Sequence, residues 1–476
     1  MSRNLACGLV AAAVALGAVL RAIPCWNDFW LDEIWTYFSV RGLTSPLAVF
    51  SSIHHSNNHH LNTLIFYWIG DAPHWAAYRI PSLVSGTASV ALAAGFAARR
   101  GRLEAVLAAV LTAFCFALIH FSSEARGYAP MACFALLALW TLELDLERPR
   151  AWTTILFGAS TVLGFLSQLV FLFFYSGALV HSAQRLLRKR ASLRSALGAF
   201  ARLHLAPLVC LALLYWIDLR ELQVGGGPAL DPPWLLSRTI GFSFGLPAWP
   251  ELAALYAALG ALVLGLGLRL LARAGDDLWL CFLITILLAP LLAIATLRPD
   301  VLAVRYFLIG IAFLLLLATF VLAQALRAGG ASRALALAAL AVFLAGNGLH
   351  TLRFLEHGRG GFLAALLTMA EQTQGERIVV GSDHDFRTGT VLRFYASRLP
   401  AGQILDYRPR GQWPRGGPDW LILHRAERPA QTRDRLALDS GEHFGLVAEF
   451  DHAAISGFYW GLYRKLGVAS RPGAAQ

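Results

Sequence analysis

The chain has 476 residues, of which 57% are hydrophobic and 14% charged, and its mean hydropathy is +0.56. A soluble protein of this length needs far more polar surface, so the composition excludes the soluble classes and predicts a polytopic membrane protein. The formal net charge of +11 would suggest a nucleic-acid partner in a soluble chain. Basic residues gathered in the cytoplasmic loops explain it here, and no nucleic-acid partner is predicted.

Apolar stretches long enough to cross a bilayer recur along most of the chain. They predict about eleven spans, near residues 5–24, 79–98, 103–121, 128–146, 152–168, 169–184, 203–218, 251–271, 278–297, 302–323 and 333–353. The first stretch follows Arg3 as a signal peptide would, but it has no convincing cleavage site and is interpreted as a span. The run Leu61–Ile69 is too short to cross and predicts an interfacial or re-entrant helix.

The loops differ in their basic residues. Arginine and lysine cluster near residues 99–102, 148–150, 185–202, 269–273 and 327–333, whereas the intervening loops hold isolated arginines. The positive-inside rule makes the clustered loops cytoplasmic. With an odd number of spans, both the first loop and the C-terminus then lie outside. We therefore expect a multi-pass protein of the bacterial inner (plasma) membrane with a cytoplasmic N-terminus.

The composition becomes more polar after residue 353. An amphipathic helical pattern covers Phe362–Gln372, and strand-like runs lie at Arg377–Gly381, Trp420–Leu423, Leu446–Phe450 and Tyr459–Tyr463. The predicted architecture is an all-α transmembrane catalytic domain at 1–353, with a first outer loop at 25–78, followed by a small soluble α/β domain at 354–476. The C-terminal domain is expected to be periplasmic or extracellular.

Two adjacent carboxylates, Asp32 and Glu33, follow the first predicted span among bulky aromatic residues. Carboxylates are costly near hydrocarbon, so this pair predicts a water-filled or protein-walled site. A polar loop within an aromatic interface belt is the alternative.

The same loop continues through a run of histidines and asparagines from His54 to Thr63. His55 and His59 would share one face of a helix and allow a metal, but Asn57 and Asn58 disfavour a helix there, and no metal site is assigned. Recognition of a hydroxylated substrate is favoured over a metal, and a solvated loop is the remaining alternative.

Two later loops on the same side add charged residues. Glu124 and Arg126 follow the third span, and Arg305 and Tyr306 open the tenth. Arginine at the mouth of an outward cavity suits a phosphate, because its planar guanidinium binds two oxygens at once. Neutralisation of Glu124 by Arg126 at the headgroups, and snorkelling of Arg305, are the alternatives.

These stretches, in this order, resemble the GT-C membrane glycosyltransferases of family 39, which include relatives of protein O-mannosyltransferases and of the lipid A aminoarabinose transferase. The resemblance covers most of residues 1–310, and the C-terminal domain is similar only in kind. One departure is His60, where many relatives have proline or an apolar residue, and it bears on the shape of the acceptor pocket. The matching stretches are Asp32-Glu33, Asn57-Asn58-His59, Asn62-Thr63-Leu64, Arg79-Ile80-Pro81-Ser82, Glu124-Ala125-Arg126-Gly127-Tyr128-Ala129 and Arg305-Tyr306.

The resemblance implies transfer of a sugar from a polyprenyl-phosphate donor to a hydroxyl of a glycan, lipid or protein acceptor. Membrane lipids are further expected partners. It implies that Asp32 is the catalytic base and that Glu33 is a supporting acid or hydrogen-bond acceptor. No cofactor is assigned, and the sequence leaves a divalent cation at the phosphate open. The residues expected to bind substrate are Asn58, His59, Arg79, Glu124, Arg126, Tyr128, Arg305 and Tyr306.

The alternative from another class is a polytopic transporter or flippase for lipid-linked glycans, which would also have many spans. Coupled transporters usually carry ionisable groups in the middle of the membrane, and the predicted spans contain few. A non-catalytic scaffold would not need carboxylates and arginines at several span ends on one side. The sequence therefore favours the enzyme.

Overall fold

The computed structural model describes residues 1–189, 192–225, 231–438 and 441–466. It divides into a membrane unit, residues 1–25 and 39–351, and a sheet unit, residues 26–38 and 352 onward. The segment 26–38, expected within the transmembrane domain as part of the first outer loop, is thus grouped with the C-terminal residues. Arg190, which belongs to one of the predicted cytoplasmic clusters, lies outside the described residues.

Helices make up nearly all of the membrane unit. The α-helices of the described chain are α1 (Arg3–Ala22), α2 (Leu31–Val40), α3 (Ala48–Ser51), α4 (His60–Ile69), α5 (Ala76–Ala98), α6 (Arg102–Phe114), α7 (Phe116–Ser122), α8 (Tyr128–Glu147), α9 (Ala151–Ser167), α10 (Leu172–Lys189), α11 (Leu193–Ile217), α12 (Pro232–Phe244), α13 (Ala253–Arg273), α14 (Leu278–Leu283), α15 (Ala289–Leu297), α16 (Leu308–Ala328), α17 (Gly330–His357), α18 (Phe362–Gln372) and α19 (Asp385–Tyr395).

Within the described residues, eight helical segments are long and apolar enough to cross a membrane: α1, α5, α8, α11, α13, α14 with α15, α16 and α17. The bent pair α6–α7 makes a ninth if it counts as one span. The two remaining predicted spans fall on α9 and α10. α9 has only 17 residues, and the last turn of α10 contains the basic residues Arg188 and Lys189. The protein is a multi-pass helical membrane protein, as predicted.

The break between α6 and α7, a bend of 60°, is filled by polar side chains of the membrane unit. At such a break the last carbonyls of α6 lose their helical donors. Arg21, which is fully buried, donates to the carbonyls of Thr112 and Ala113 at 2.8 and 2.9 Å. Across the break, the N–H of Phe116 donates to Oδ1 of Asn347 at 2.7 Å. These bonds explain how an apolar span can be interrupted.

Arginines are paired with carboxylates at the end of the membrane unit where α5, α8 and α16 finish. Glu143 and Asp145, both nearly inaccessible to solvent, bind an arginine each near the end of α8. Charge-assisted bonds of this kind connect the inter-helix loops at that end. The pairs are Arg99–Glu147, Arg100–Asp276, Arg185–Glu143, Arg202–Asp145 and Arg327–Glu104.

The described residues of the sheet unit form a six-stranded mixed sheet with strand order β2-β1-β3-β6-β5-β4. β1 pairs in parallel with both β2 and β3, whereas β3–β6, β6–β5 and β5–β4 are antiparallel. The strands are β1 (Arg377–Ser382), β2 (Ile404–Tyr407), β3 (Trp420–Arg425), β4 (Arg435–Ala437), β5 (His443–Phe450) and β6 (Tyr459–Lys465).

The predicted helix of this unit, α18, and its four predicted strands are all present. α19, β2 and β4 were not predicted from the sequence. β2 and β4 have four and three residues, too few for the alternation that identifies a strand.

Hydrogen bonds between side chains and backbone groups anchor residues 26–38 in the sheet unit. Phe29 is fully buried, and its N–H and C=O both bond the hydroxyl of Tyr395, at 2.6 and 2.9 Å. Oδ2 of Asp28 accepts the N–H of Leu363 in the first turn of α18 at 2.8 Å, where a negative charge also stabilises the helix dipole. This aromatic segment therefore forms part of the core of the sheet unit.

Candidate functional site

Several predicted site residues meet at the end of the membrane unit where α4 and α8 begin. His59 directly precedes α4 and is 2% exposed. Its Nδ1 accepts the backbone N–H of Gly127 at 2.8 Å, and its Nε2 lies 3.2 Å from Nη2 of Arg126. The ring of Tyr128 packs edge-on against it, with centroids 4.8 Å apart. The structure thus brings His59, Arg126 and Tyr128 together.

Neutral groups hold the guanidinium of Arg126 in place. Its Nη1 donates to Oδ1 of Asn57 at 2.6 Å and to the carbonyl of Asn57 at 3.1 Å. The guanidinium also lies 5.7 Å from the ring centroid of Tyr128. Asn57 was not predicted as a site residue, although it lies within the matching Asn57-Asn58-His59 stretch.

A second arginine belongs to the same cluster, because the charge of Arg305 also acts on His59. Arg305 lies in the short helical turn before α16, and its guanidinium lies 5.5 Å from the ring centroid of Tyr306. We call His59, Arg126 and Arg305 the histidine–arginine cluster.

The ring of His59 is neutral in this environment. Burial lowers its pKa well below the usual value, and the charges of Arg126 and Arg305 lower the pKa further. Because the N–H of Gly127 donates to Nδ1, the single proton of the neutral ring lies on Nε2. The Nε2–H group and the adjacent guanidinium of Arg126 are then two donors side by side.

Gln168, at the end of α9, adds a further donor. Its Oε1 accepts the N–H of Val170 at 3.2 Å, which leaves its Nε2 facing Nε2 of His59 at 3.5 Å. Donors that converge without accepting from one another suit a bound anion, and a phosphate offers the oxygens they need. Gln168 was not predicted as a site residue; its place as a polar residue within an apolar run is the signal that could have found it.

A close approach at Gly127 makes this geometry possible. A Cβ atom on Gly127 would lie 1.8 Å from the carbonyl oxygen of Ser167 and 2.9 Å from Nδ1 of His59. Any side chain here would therefore push apart the turn before α8 and the end of α9. This requirement ties Gly127 to the position of the His59 ring.

Three other predicted residues are buried or partly buried, and the side chains of Asn58 and Arg79 support the surrounding structure. Nδ2 of Asn58 donates to the carbonyls of Val49 and Ile53 at 2.8 and 2.9 Å and so closes its own loop. Arg79 is fully buried and donates to the carbonyl of Cys25 at 2.9 Å, just after α1. Glu124, also fully buried, lies in the turn between α7 and α8. Their roles in substrate binding stay predictions.

A buried carboxylate joins two histidines of the first loop. Asp218, which follows α11, accepts from Nδ1 of His54 and from Nε2 of His60, both at 2.7 Å. His60 also stacks on Phe50 with centroids 5.1 Å apart. The unusual histidine at position 60 thus has a structural partner, which the sequence alone did not reveal because Asp218 is far away in the chain.

The histidine pair considered for a metal does not lie on one helix face, because α4 begins only at His60, after both His55 and His59. Among the described residues, no group of three or more histidine, cysteine, aspartate or glutamate side chains could hold a metal ion.

The paired carboxylates lie in the first turn of α2, in the sheet unit. Glu33 is fully buried, and its Oε2 accepts the backbone N–H of Trp30 at 3.2 Å, as a helix-capping carboxylate does. Asp32 is half-buried, and its charge acts on Arg387 of α19. The two neighbours therefore differ: Glu33 holds the start of the helix, whereas Asp32 remains partly accessible. Their predicted catalytic roles stay predictions.

Comparison with known proteins gives a match at the level of structure. No family model matches the sequence, and a search of curated proteins finds no match. The structure is similar to apo ArnT from Cupriavidus metallidurans, with a TM-score of 0.53 and 15% identity over 88% of this chain and 93% of that one. It is also similar to the same enzyme bound to undecaprenyl phosphate, with a TM-score of 0.52 and 14% identity over 99% of this chain and 100% of that one.

ArnT is the lipid A aminoarabinose transferase, a GT-C membrane glycosyltransferase. At these identities the likeness is one of fold, and it confirms the predicted fold class, a polytopic helical membrane protein with a small C-terminal α/β domain. The chain has the GT-C fold, a multi-pass helical membrane protein with a small C-terminal sheet domain.

Proposed function

We propose that this protein is an integral membrane glycosyltransferase that moves a sugar from a polyprenyl-phosphate-linked donor to a hydroxyl acceptor. The histidine–arginine cluster carries the proposal, because its guanidinium and imidazole donors, with the neighbouring amide of Gln168, offer a site for a phosphate. The solved ArnT structure with undecaprenyl phosphate supports it, because a protein of this fold accommodates such a lipid.

In this proposal the cluster binds the phosphate of the donor. The C1–oxygen bond to phosphate breaks during transfer, and negative charge grows on the departing oxygen. Arg126 and Arg305 stabilise that charge, and their positions are fixed before the reaction begins. The leaving phosphate monoester has a second pKa of about 6, so it needs little help from an acid.

Asp32 is the proposed general base. As the acceptor hydroxyl attacks C1 of the sugar, its proton passes to the carboxylate of Asp32, and the bond to phosphate breaks on the opposite face. This single displacement inverts the anomeric centre and forms no covalent enzyme intermediate. Asp32 suits the role better than Glu33, whose carboxylate is buried and accepts the Trp30 N–H.

The proposed location is the bacterial inner (plasma) membrane, with a cytoplasmic N-terminus and the sheet unit outside. The alternating basic loops support this orientation. A cysteine placed at exposed Gln374 should react with a membrane-impermeant thiol reagent in intact spheroplasts. Labelling of that cysteine only after lysis would reverse the orientation.

Mass spectrometry of cell-envelope glycans and lipids provides the test of function. Cells that make the protein should contain a glycosylated species that is absent from cells without it and from cells that make only Asp32→Asn. Identical envelopes in all three, with the protein present in the membrane, would refute the proposed transfer.

A further inference from the structure

The sheet unit contains a second pair of hydrogen-bond donors, Arg387 and His424. The pair lies near the carboxyl ends of two parallel strands. β1 and β3 are neighbours in the sheet and run in parallel. His384 follows β1 and His424 lies near the end of β3, with ring centroids 5.2 Å apart. Ligands of α/β sheets commonly bind at this edge, outside the carboxyl ends of the strands.

The tautomer of His424 follows from its buried partner. The indole N–H of Trp460 donates to Nδ1 at 3.3 Å, and an indole nitrogen can only donate. Burial, with the charge of Arg387, lowers the pKa of His424 to about 2, so the ring is neutral. Its one proton is therefore on Nε2.

Arg387 presents its guanidinium to that same proton. Its Nη1 lies 3.3 Å from Nε2 of His424, and its guanidinium lies 5.2 Å from the ring centroid of Phe458. Two hydrogen-bond donors cannot bond to each other, so this geometry favours a bound acceptor that both can contact. This is the arrangement of His59 and Arg126, repeated in another unit with different elements.

The aspartates of this edge are occupied by other groups. Asp383 accepts the N–H of His424 at 2.8 Å and forms an ion pair with Arg425. Asp385 accepts the hydroxyl of Tyr407 at 2.9 Å. The helix that carries Asp32, the proposed base, packs against the helix that carries Arg387, with the rings of Trp35 and Phe386 5.4 Å apart. The charge of Asp32 acts on Arg387.

We propose that Arg387 and His424 form an anion-binding subsite that holds a carboxylate or phosphate group of the acceptor next to Asp32. The assignment of the bound group to the acceptor rests on the proposed function. The existence of an anion-binding subsite does not. An acidic group bound by Arg387 would place a nearby hydroxyl of the same molecule where Asp32 can take its proton.

Arginine-selective modification with phenylglyoxal tests the subsite without any transfer reaction. Full-length protein in nanodiscs is modified with and without inorganic phosphate or acetate, and the rate at each arginine is read by peptide mass spectrometry. We expect phosphate to slow modification of Arg387 at least threefold, and less in His424→Leu, because leucine has no hydrogen-bond donor. Arg393, exposed on the same helix, is the matched control and should react at an unchanged rate.

The two anions distinguish the classes of ligand. If both acetate and phosphate protect Arg387, the subsite accepts a carboxylate or a phosphate group. If only phosphate protects Arg387, the ligand is a phosphate group. Equal protection of Arg393, or none at Arg387, would overturn the subsite. Undecaprenyl phosphate should protect Arg126 and leave Arg387 unaffected; protection of Arg387 by this lipid would assign the pair to the donor and contradict the proposal.

Kinetics then connect the subsite to transfer. With donor saturating, Arg387→Gln should raise the acceptor KM at least tenfold and leave the donor KM within twofold, whereas Arg393→Gln should change neither. An unchanged acceptor KM would separate the subsite from the acceptor. Absence of any transfer by the wild type would refute the proposed function and leave the modification result standing.

Discussion

The membrane unit and the sheet unit each contain a neutral histidine whose Nε2–H lies beside an arginine. In the membrane unit the third member is another cation, Arg305, whereas in the sheet unit it is a carboxylate, Asp32. A site with two guanidiniums favours a group that gains negative charge, as a leaving phosphate does. A site with one guanidinium and one carboxylate suits a molecule that has an anionic group for the guanidinium to bind and a hydroxyl for the carboxylate to deprotonate. In the proposed reaction, donor binding therefore belongs to the membrane unit and proton transfer to the sheet unit.

Replacing the carboxylate should have the largest effect. Asp32→Asn keeps the size of the side chain but cannot accept a proton, so turnover should fall about 10²–10⁴-fold, or about 3–5 kcal/mol of barrier. Donor affinity should be unchanged. Transfer in reconstituted membranes and direct donor binding are measured on the same preparations.

The matched variant is Glu33→Gln, which retains an oxygen for the Trp30 N–H and should cost less than Asp32→Asn. A nearly inactive Glu33→Gln beside an active Asp32→Asn would reverse the assignment of the base.

The next prediction concerns the membrane unit alone. Gly127→Ala places a methyl group against the Ser167 carbonyl and the His59 ring, so it should destabilise the protein by about 1–3 kcal/mol. Donor affinity should also fall, because the ring that carries the Nε2–H is displaced.

Thermal unfolding and donor binding are compared with Gly158→Ala in α9, where an added Cβ meets no atom within 4 Å. The control should bind donor normally. Equal behaviour of the two alanine variants would show that the close approach at Gly127 does not matter.

Acid sensitivity should come from both histidines. The pKa of His59 and that of His424 are lowered in the folded protein, so below about pH 6.5 the unfolded chain binds protons that the folded chain does not. The contribution of each neutral histidine to stability should be fully present above about pH 7. The free energy of unfolding should fall by about 1.4 kcal/mol per histidine by pH 5.5. Unfolding temperatures between these pH values should fall less steeply in His59→Gln and in His424→Gln; an unchanged slope in both would contradict the neutral rings.

Much of the fold could be predicted because its signals are local. Long apolar runs identified the membrane helices, and the helical pattern at Phe362–Gln372 predicted α18 with the same bounds as the structure. The ordered motifs also identified His59, Arg126 and Arg305, which the structure brings together.

The sheet-unit site could not be predicted in the same way. Arg387 and His424 lie on separate elements, and Asp32 precedes them by most of the length of the chain. No periodicity connects residues whose proximity depends on tertiary packing. The capping role of Glu33 was hidden for a related reason: adjacent carboxylates look alike in a sequence and differ only in what surrounds each one.

The binding of lipid phosphate to arginine variants tests whether the histidine–arginine cluster is the donor site. Undecaprenyl phosphate is titrated into wild-type protein, Arg126→Gln, Arg305→Lys and Arg327→Gln in nanodiscs. Arg327 is the control, because it is paired with Glu104 at the other end of the membrane unit. We predict at least tenfold weaker binding in Arg126→Gln and wild-type affinity in Arg327→Gln. Arg305→Lys should lose less than Arg126→Gln, because lysine keeps the positive charge although it lacks the planar guanidinium. Wild-type affinity in Arg126→Gln and Arg305→Lys, with both folded, would contradict the assignment of the histidine–arginine cluster to the donor phosphate.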